Sequence, residues 1–343
     1  PATEKAGYPL QVDAKGMGVD NFPWHYAHIG SKGRLLHVVT LGSIASMPDD
    51  PEGIFTGGIP ISGLEIIGHE LGHHWLAYTG LQFAGGQKLD VLRGYQEGNG
   101  PIIHYSCWFN SYSVLYGGML TDNKDGTFTD VNGPCKFTQL DQYFMGLRSP
   151  QEVEPMWYVE VNSSLYGCAD WPRGRGVPHD ISGERVDFTI DDIIRANGPR
   201  VPATSKCHYK AAFAFVHPVG LPPSQTELAK FELYRSKLEK WWEWATDNRS
   251  SLDATLSGCG EGTAACAGQK SPQCGAPADG DADVDAADTT ETTETDEQFC
   301  TPGARGCDGK LAVKCDANGE NWMMVDDCSF NGGDCRNGEC AAS

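Results

Sequence analysis

Apolar residues recur at helical spacing between Ser62 and Gly80, where Leu64, Ile67, Leu71, Trp75 and Tyr78 fall on one stripe. Ser62 and Glu65 stand three apart at the front of this run, the spacing of a capping box, and Gly80 is placed to end it. The pattern predicts a helix over 62–80. Ile66, Leu76 and Ala77 lie on the other side, so the helix is apolar nearly all round and is expected to be buried on both faces. A second long helix is predicted from Ser224, with Glu227 at capping-box spacing and Leu228, Phe231, Tyr234, Leu238, Trp241 and Ala245 repeating behind it. Its Trp241, Trp242 and Trp244 read as packing residues of an amphipathic helix. Short apolar runs predict strands at 35–41 and 211–216. Residues 1–258 therefore read as one α+β domain.

Beyond residue 258 this patterning stops. Residues 259–274 form a Gly/Ala-rich junction holding Cys259, Cys266 and Cys274. Residues 275–298 are an Asp-rich and then Thr/Glu-rich run that cannot bury enough apolar surface to order itself, and read as an acidic flexible linker. Ca²⁺ binding is the other reading of the Asp run. Counted from Asp281, however, the sixth and twelfth positions hold Ala286 and Thr292, where a calcium loop wants Gly and Glu. Residues 299–343 carry six cysteines, a density expected of a small disulfide-rich module in an oxidising compartment. This segment resembles Cys-rich appendages at the C-termini of secreted bacterial proteins, which implies a secreted or cell-surface location and a cell-surface or polysaccharide ligand for the module.

Charge changes the picture only slightly. The net charge is -20, and 16 acids against 4 bases over 275–343 account for -12 of it, so the acidity belongs mostly to the tail. With no basic patch, nucleic acid is not an expected partner. No stretch has the roughly 18 consecutive apolar residues of a membrane span. Residues 1–8 lack the apolar core of a signal peptide, so export implies a chain already processed.

The chemistry lies in the 62–80 helix. His69 and His73 stand four apart and project from one side, where two imidazoles can reach one Zn²⁺ at about 2.0–2.1 Å. Glu70 follows His69 and is placed to act as general base toward a zinc-activated water. His69-Glu70-x-x-His73 on a capped apolar helix resembles the H-E-x-x-H motif of zincin metallopeptidases. The resemblance implies a zincin-like α+β catalytic domain built round this helix, one catalytic zinc, and a protein or peptide substrate.

A third protein ligand is required to complete such a site. Leu76 and Thr79 occupy the positions where metzincins carry Gly and His, and His74 points about 100° away round the helix. Two residues lead the field. Thr138, Asp141, Tyr143 and Gly146 loosely resemble the G-T-x-D-x-x-Y-G motif of aspzincins, with different internal spacing, which implies Asp141 as ligand and Tyr143 as a hydroxyl near the developing oxyanion. His104, in the apolar run P-I-I-H-Y-S-C-W-F, is the other candidate, and Glu97 is a third. The expected function is a secreted zinc endopeptidase. The alternative is a non-enzymatic extracellular surface or assembly protein built on a zincin scaffold, and a third reading is a zinc hydrolase acting on non-peptide bonds.

Overall fold

In a computed structural model, residues 5–19, 35–55, 61–95, 103–131, 135–161 and 179–254 are described, together with short strand segments between 301 and 341. The junction at 259–274, the acidic run at 275–298 with its Asp residues, and Glu97 lie outside the described residues. The chain divides into two compact units, one spanning 1–24 and 36–277 and the other 25–35 and 278–343.

In the first unit, the Ser62 segment folds into helix α1 (Gly63–Gly72), eight residues shorter at its end than the apolar stripe predicts. Ser62 caps it as expected: its hydroxyl accepts from Glu65 N–H at 3.2 Å, while Glu65 Oε2 accepts from Ser62 N–H at 2.5 Å. The same carboxylate reaches out of the helix, Oε1 accepting from Cys135 N–H at 2.7 Å, and so ties the helix start to a distant segment. After Gly72 the chain turns, and Ala77 takes a left-handed conformation (φ 65°) that no α-helix can contain. The Tyr78 hydroxyl donates to the His73 carbonyl at 2.5 Å, satisfying one acceptor freed by the early stop.

All of α1 except Leu71 is buried, as its apolar circumference requires. It packs on the antiparallel pair of β1 (Ala6–Pro9) and β2 (His37–Thr40), and on helix α4 (Gln225–Ala245). The remaining strands of this unit form small sheets: β3 (Arg93–Tyr95) with β4 (His104–Tyr105); β5 (Leu120–Asp122), β6 (Thr127–Asp130) and β8 (His179–Ser182); and β7 (Met156–Glu160) with β9 (Glu184–Phe188). Helix α2 (Gln139–Phe144) is capped by Thr138 and Asp141, and α3 (Ile190–Asn197) follows β9.

The second predicted long helix is α4 (Gln225–Ala245), with Ser224 and Glu227 forming its capping box. Tyr234, Leu238, Trp241, Trp242 and Ala245 are its buried face, whereas Trp244 is about half exposed. Asp247, just past its end, accepts from Lys136, Gln142 and Arg148 and so locks α4 to α2. The strand predicted at 211–216 is not formed. Strand β10 is instead His208–Lys210, paired in parallel with the three-residue β11 (Ser251–Asp253). The last ladder bond runs from Ala211 N–H to Asp253, and among the described residues the pairing goes no further. Phe213 and Phe215 pack on Phe231 of α4.

The α1–α4 contact depends on a missing side chain. A Cβ at Gly68 would lie 2.0 Å from Trp241 Cη2 and 2.4 Å from Cζ3, inside a rigid ring that is itself buried. Gly68→Ala gains up to about 1 kcal/mol of helix propensity. We expect overpacking, which costs about 1–3 kcal/mol, to outweigh this, with a net loss of up to about 2 kcal/mol in urea denaturation. Unchanged or increased stability would show that α4 can retreat at no cost.

In the second unit, β12 (Arg305–Asp308), β13 (Leu311–Cys315) and β14 (Trp322–Asp327) form an antiparallel sheet. A hairpin of β15 (Asp334–Arg336) and β16 (Glu339–Ala341) sets Cys335 opposite Cys340 in register. Among the described residues, no helix is long and apolar enough to cross a membrane.

Candidate metal centre

Two imidazoles come from the end of α1. His69 lies in its last turn, and His73 is the capping residue just beyond it. Although the helix stops at Gly72, His73 keeps right-handed helical angles (φ −57°, ψ −10°), so the one-turn relation between the two rings survives. Their ring centroids are 4.8 Å apart and nearly perpendicular.

The third imidazole is His104, the first residue of β4. Its ring lies 5.0 Å from both His69 and His73, and one ring nitrogen from each of the three falls within 4.8 Å of the others. All three side chains are buried. His69 Nδ1–H donates to the Val114 carbonyl at 2.6 Å, which leaves the lone pair on Nε2. That atom faces His104 Nε2 at 3.1 Å. Two nitrogens bound tetrahedrally to one zinc stand about 3.3 Å apart, given Zn–N bonds of about 2.05 Å. Burial pushes the His69 pKa down to about 4, opposed by the Val114 bond, and holds His73 well below the usual histidine range. Both rings are therefore neutral at pH 7, the form that binds metals. His73 Nδ1 is buried with no hydrogen-bond partner among the described residues. A set of three buried imidazoles, His69 and His73 neutral among them, with such an orphaned nitrogen fits a borderline cation such as Zn²⁺.

Glu70 is buried on α1 beside His69. Among the described residues, the others singled out by sequence are not part of the imidazole group. Asp141 is fully buried, but its carboxylate is taken up locally: Oδ2 accepts from Thr138 N–H at 2.8 Å in the α2 capping box, and Oδ1 accepts from the Tyr105 hydroxyl at 3.1 Å. Burial raises its pKa to about 6 against these bonds. It is not part of the imidazole group. The Tyr143 hydroxyl accepts from Arg200 N–H at 3.0 Å and serves packing between α2 and the segment at 200. His74 turns away to Asp13, 3.3 Å from its Nε2.

Three contributors escape the sequence pattern. Val114 supplies only its carbonyl, which any residue could. His37 on β2 approaches His74, its ring held neutral because burial lowers its pKa to about 3. Tyr116 lays its ring 4.6 Å from His69 and 4.7 Å from His104. The signal closest to it is the Tyr-Gly-Gly turn composition at 116–118.

Comparison with protein-family models, with curated proteins and with solved structures finds no match to this chain. The functional reading rests on the residues themselves.

Proposed function

We propose that the chain is a secreted zinc-dependent peptidase that holds its metal with His69, His73 and His104. The single observation that carries this reading is the convergence of three buried imidazoles, two from the end of α1 and one from β4, with Glu70 following His69 on that helix. Three protein ligands leave a position open for water and substrate, the arrangement of catalytic rather than structural zinc. Bound zinc supplies Lewis acidity toward the scissile carbonyl and toward a water molecule. Glu70 takes the proton from that water and delivers it to the leaving amine. The disulfide bonds at Cys107 and Cys207 support an oxidising compartment, in keeping with export.

The test uses the purified full chain. Elemental analysis should find zinc at one equivalent, and an unfolded protein substrate should be cleaved until a chelator is added and again once zinc is restored. A chain that holds zinc but cleaves nothing supports the non-enzymatic reading. One that takes up no metal reduces the three histidines to core packing.

A further inference from the structure

The turn at 113–116 touches the imidazole group from outside, and its backbone is fixed residue by residue. Ser113 N–H donates to the Tyr116 carbonyl at 3.2 Å, Val114 N–H to the Lys136 carbonyl at 3.1 Å, and Leu115 N–H to the Ser113 hydroxyl at 3.0 Å. The Tyr116 carbonyl also accepts from the Ser111 hydroxyl at 3.0 Å. Two bonds lead from this turn to the metal ligands: the Val114 carbonyl accepts from His69, and the Leu115 carbonyl accepts from Tyr105 N–H at 3.0 Å, next to His104. The Leu115 side chain packs against the bare Cα of Gly72, where a Cβ would lie 2.4 Å from its Cδ2.

Tyr116 itself has φ 73°, a left-handed conformation that bulky side chains rarely adopt. Such residues persist only where their surroundings over-determine them, and they cluster at functional sites. Here the over-determination is visible in the bonds just described. Its outcome is that the Tyr116 ring is buried across two imidazoles at once, tilted 45° to His69 and 40° to His104.

We infer that Tyr116 is a positioning residue for the metal ligands, its ring holding the planes of His69 and His104 so that their Nε2 atoms converge. This rests on the reading of the three histidines as a metal centre. His69 has the Val114 bond as a second restraint. His104 comes from a strand of only two residues, so the ring's effect falls mainly on His104.

The experiment compares wild type with Tyr116→Phe, which keeps the ring, and Tyr116→Leu, which keeps apolar volume without a planar face. Zinc affinity is read by competition with a chromophoric chelator, and site geometry by the visible spectrum of the Co²⁺-loaded chain, well below each Tm. Tyr116→Phe should match wild type, while Tyr116→Leu should bind zinc about 10–100-fold more weakly, with altered cobalt bands. Should Tyr116→Leu not fold, Tyr116→Asn takes its place, because asparagine tolerates positive φ. Wild-type affinity and bands in the ring-less variant overturn the inference, as does equal weakening in Tyr116→Phe. A wild-type chain that binds no zinc instead overturns the metal centre beneath it.

Discussion

His104→Ala should strip zinc from the purified chain and with it all cleavage, whereas Asp141→Asn should keep both. Removing His104 leaves two imidazoles from one helix, too few to hold a catalytic zinc. The affinity loss should exceed the about 10–100-fold typical when a residue merely supporting a ligand is changed. In Asp141→Asn, the amide oxygen can still accept from Thr138 N–H, and the amide N–H can donate to the Tyr105 hydroxyl oxygen. Zinc content after dialysis, read beside the Tm of each variant, separates the two roles. Metal lost from Asp141→Asn and kept in His104→Ala would reverse the assignment.

Glu70→Gln is expected to retain zinc and lose cleavage by at least about 10²–10⁴-fold, the usual contribution of a positioned general base. Glutamine has nearly the same volume, so this buried position stays filled and the helix carrying His69 and His73 is undisturbed. What disappears is a group able to accept a proton. Initial rates on a protein substrate, with zinc content measured on the same samples, give the result directly. Undiminished rates would remove Glu70 as the base and move the search to other buried groups near the three imidazoles.

Much of the centre was legible in the chain because it is local. His69, Glu70 and His73 sit on one helical turn, and the Ser62/Glu65 capping box starts that helix where the pattern puts it. The end of the helix was not legible: the apolar stripe continues through Trp75 and Tyr78, and those residues are buried, but in a turn whose left-handed Ala77 leaves no mark on hydrophobic periodicity. The candidacy of Asp141 beside His104 has a specific cause. Thr138 and Asp141 stand at the same three-residue spacing as Ser62 and Glu65, a capping-box signal available in the sequence, and the structure uses them that way. His104 could be named but not placed, because its approach to α1 depends on a turn at 113–116 that meets a helix far from it in sequence. The Tyr-Gly-Gly composition at 116–118 marks a turn but not what that turn packs on, so Tyr116 could not be placed either.

The early stop of α1 also sets the sign of the field at the centre. Because the helix ends at Gly72, His69 and His73 occupy its C-terminal turn and cap, where the aligned peptide dipoles present their negative end. A helix continued to Gly80 would have left the two imidazoles in mid-barrel, far from either pole. As built, the backbone itself favours positive charge beside the rings by about 0.3–1 kcal/mol and disfavours an anion there by a similar amount. A divalent cation is thus drawn to this end of α1 by the peptide groups as well as by the side chains they carry.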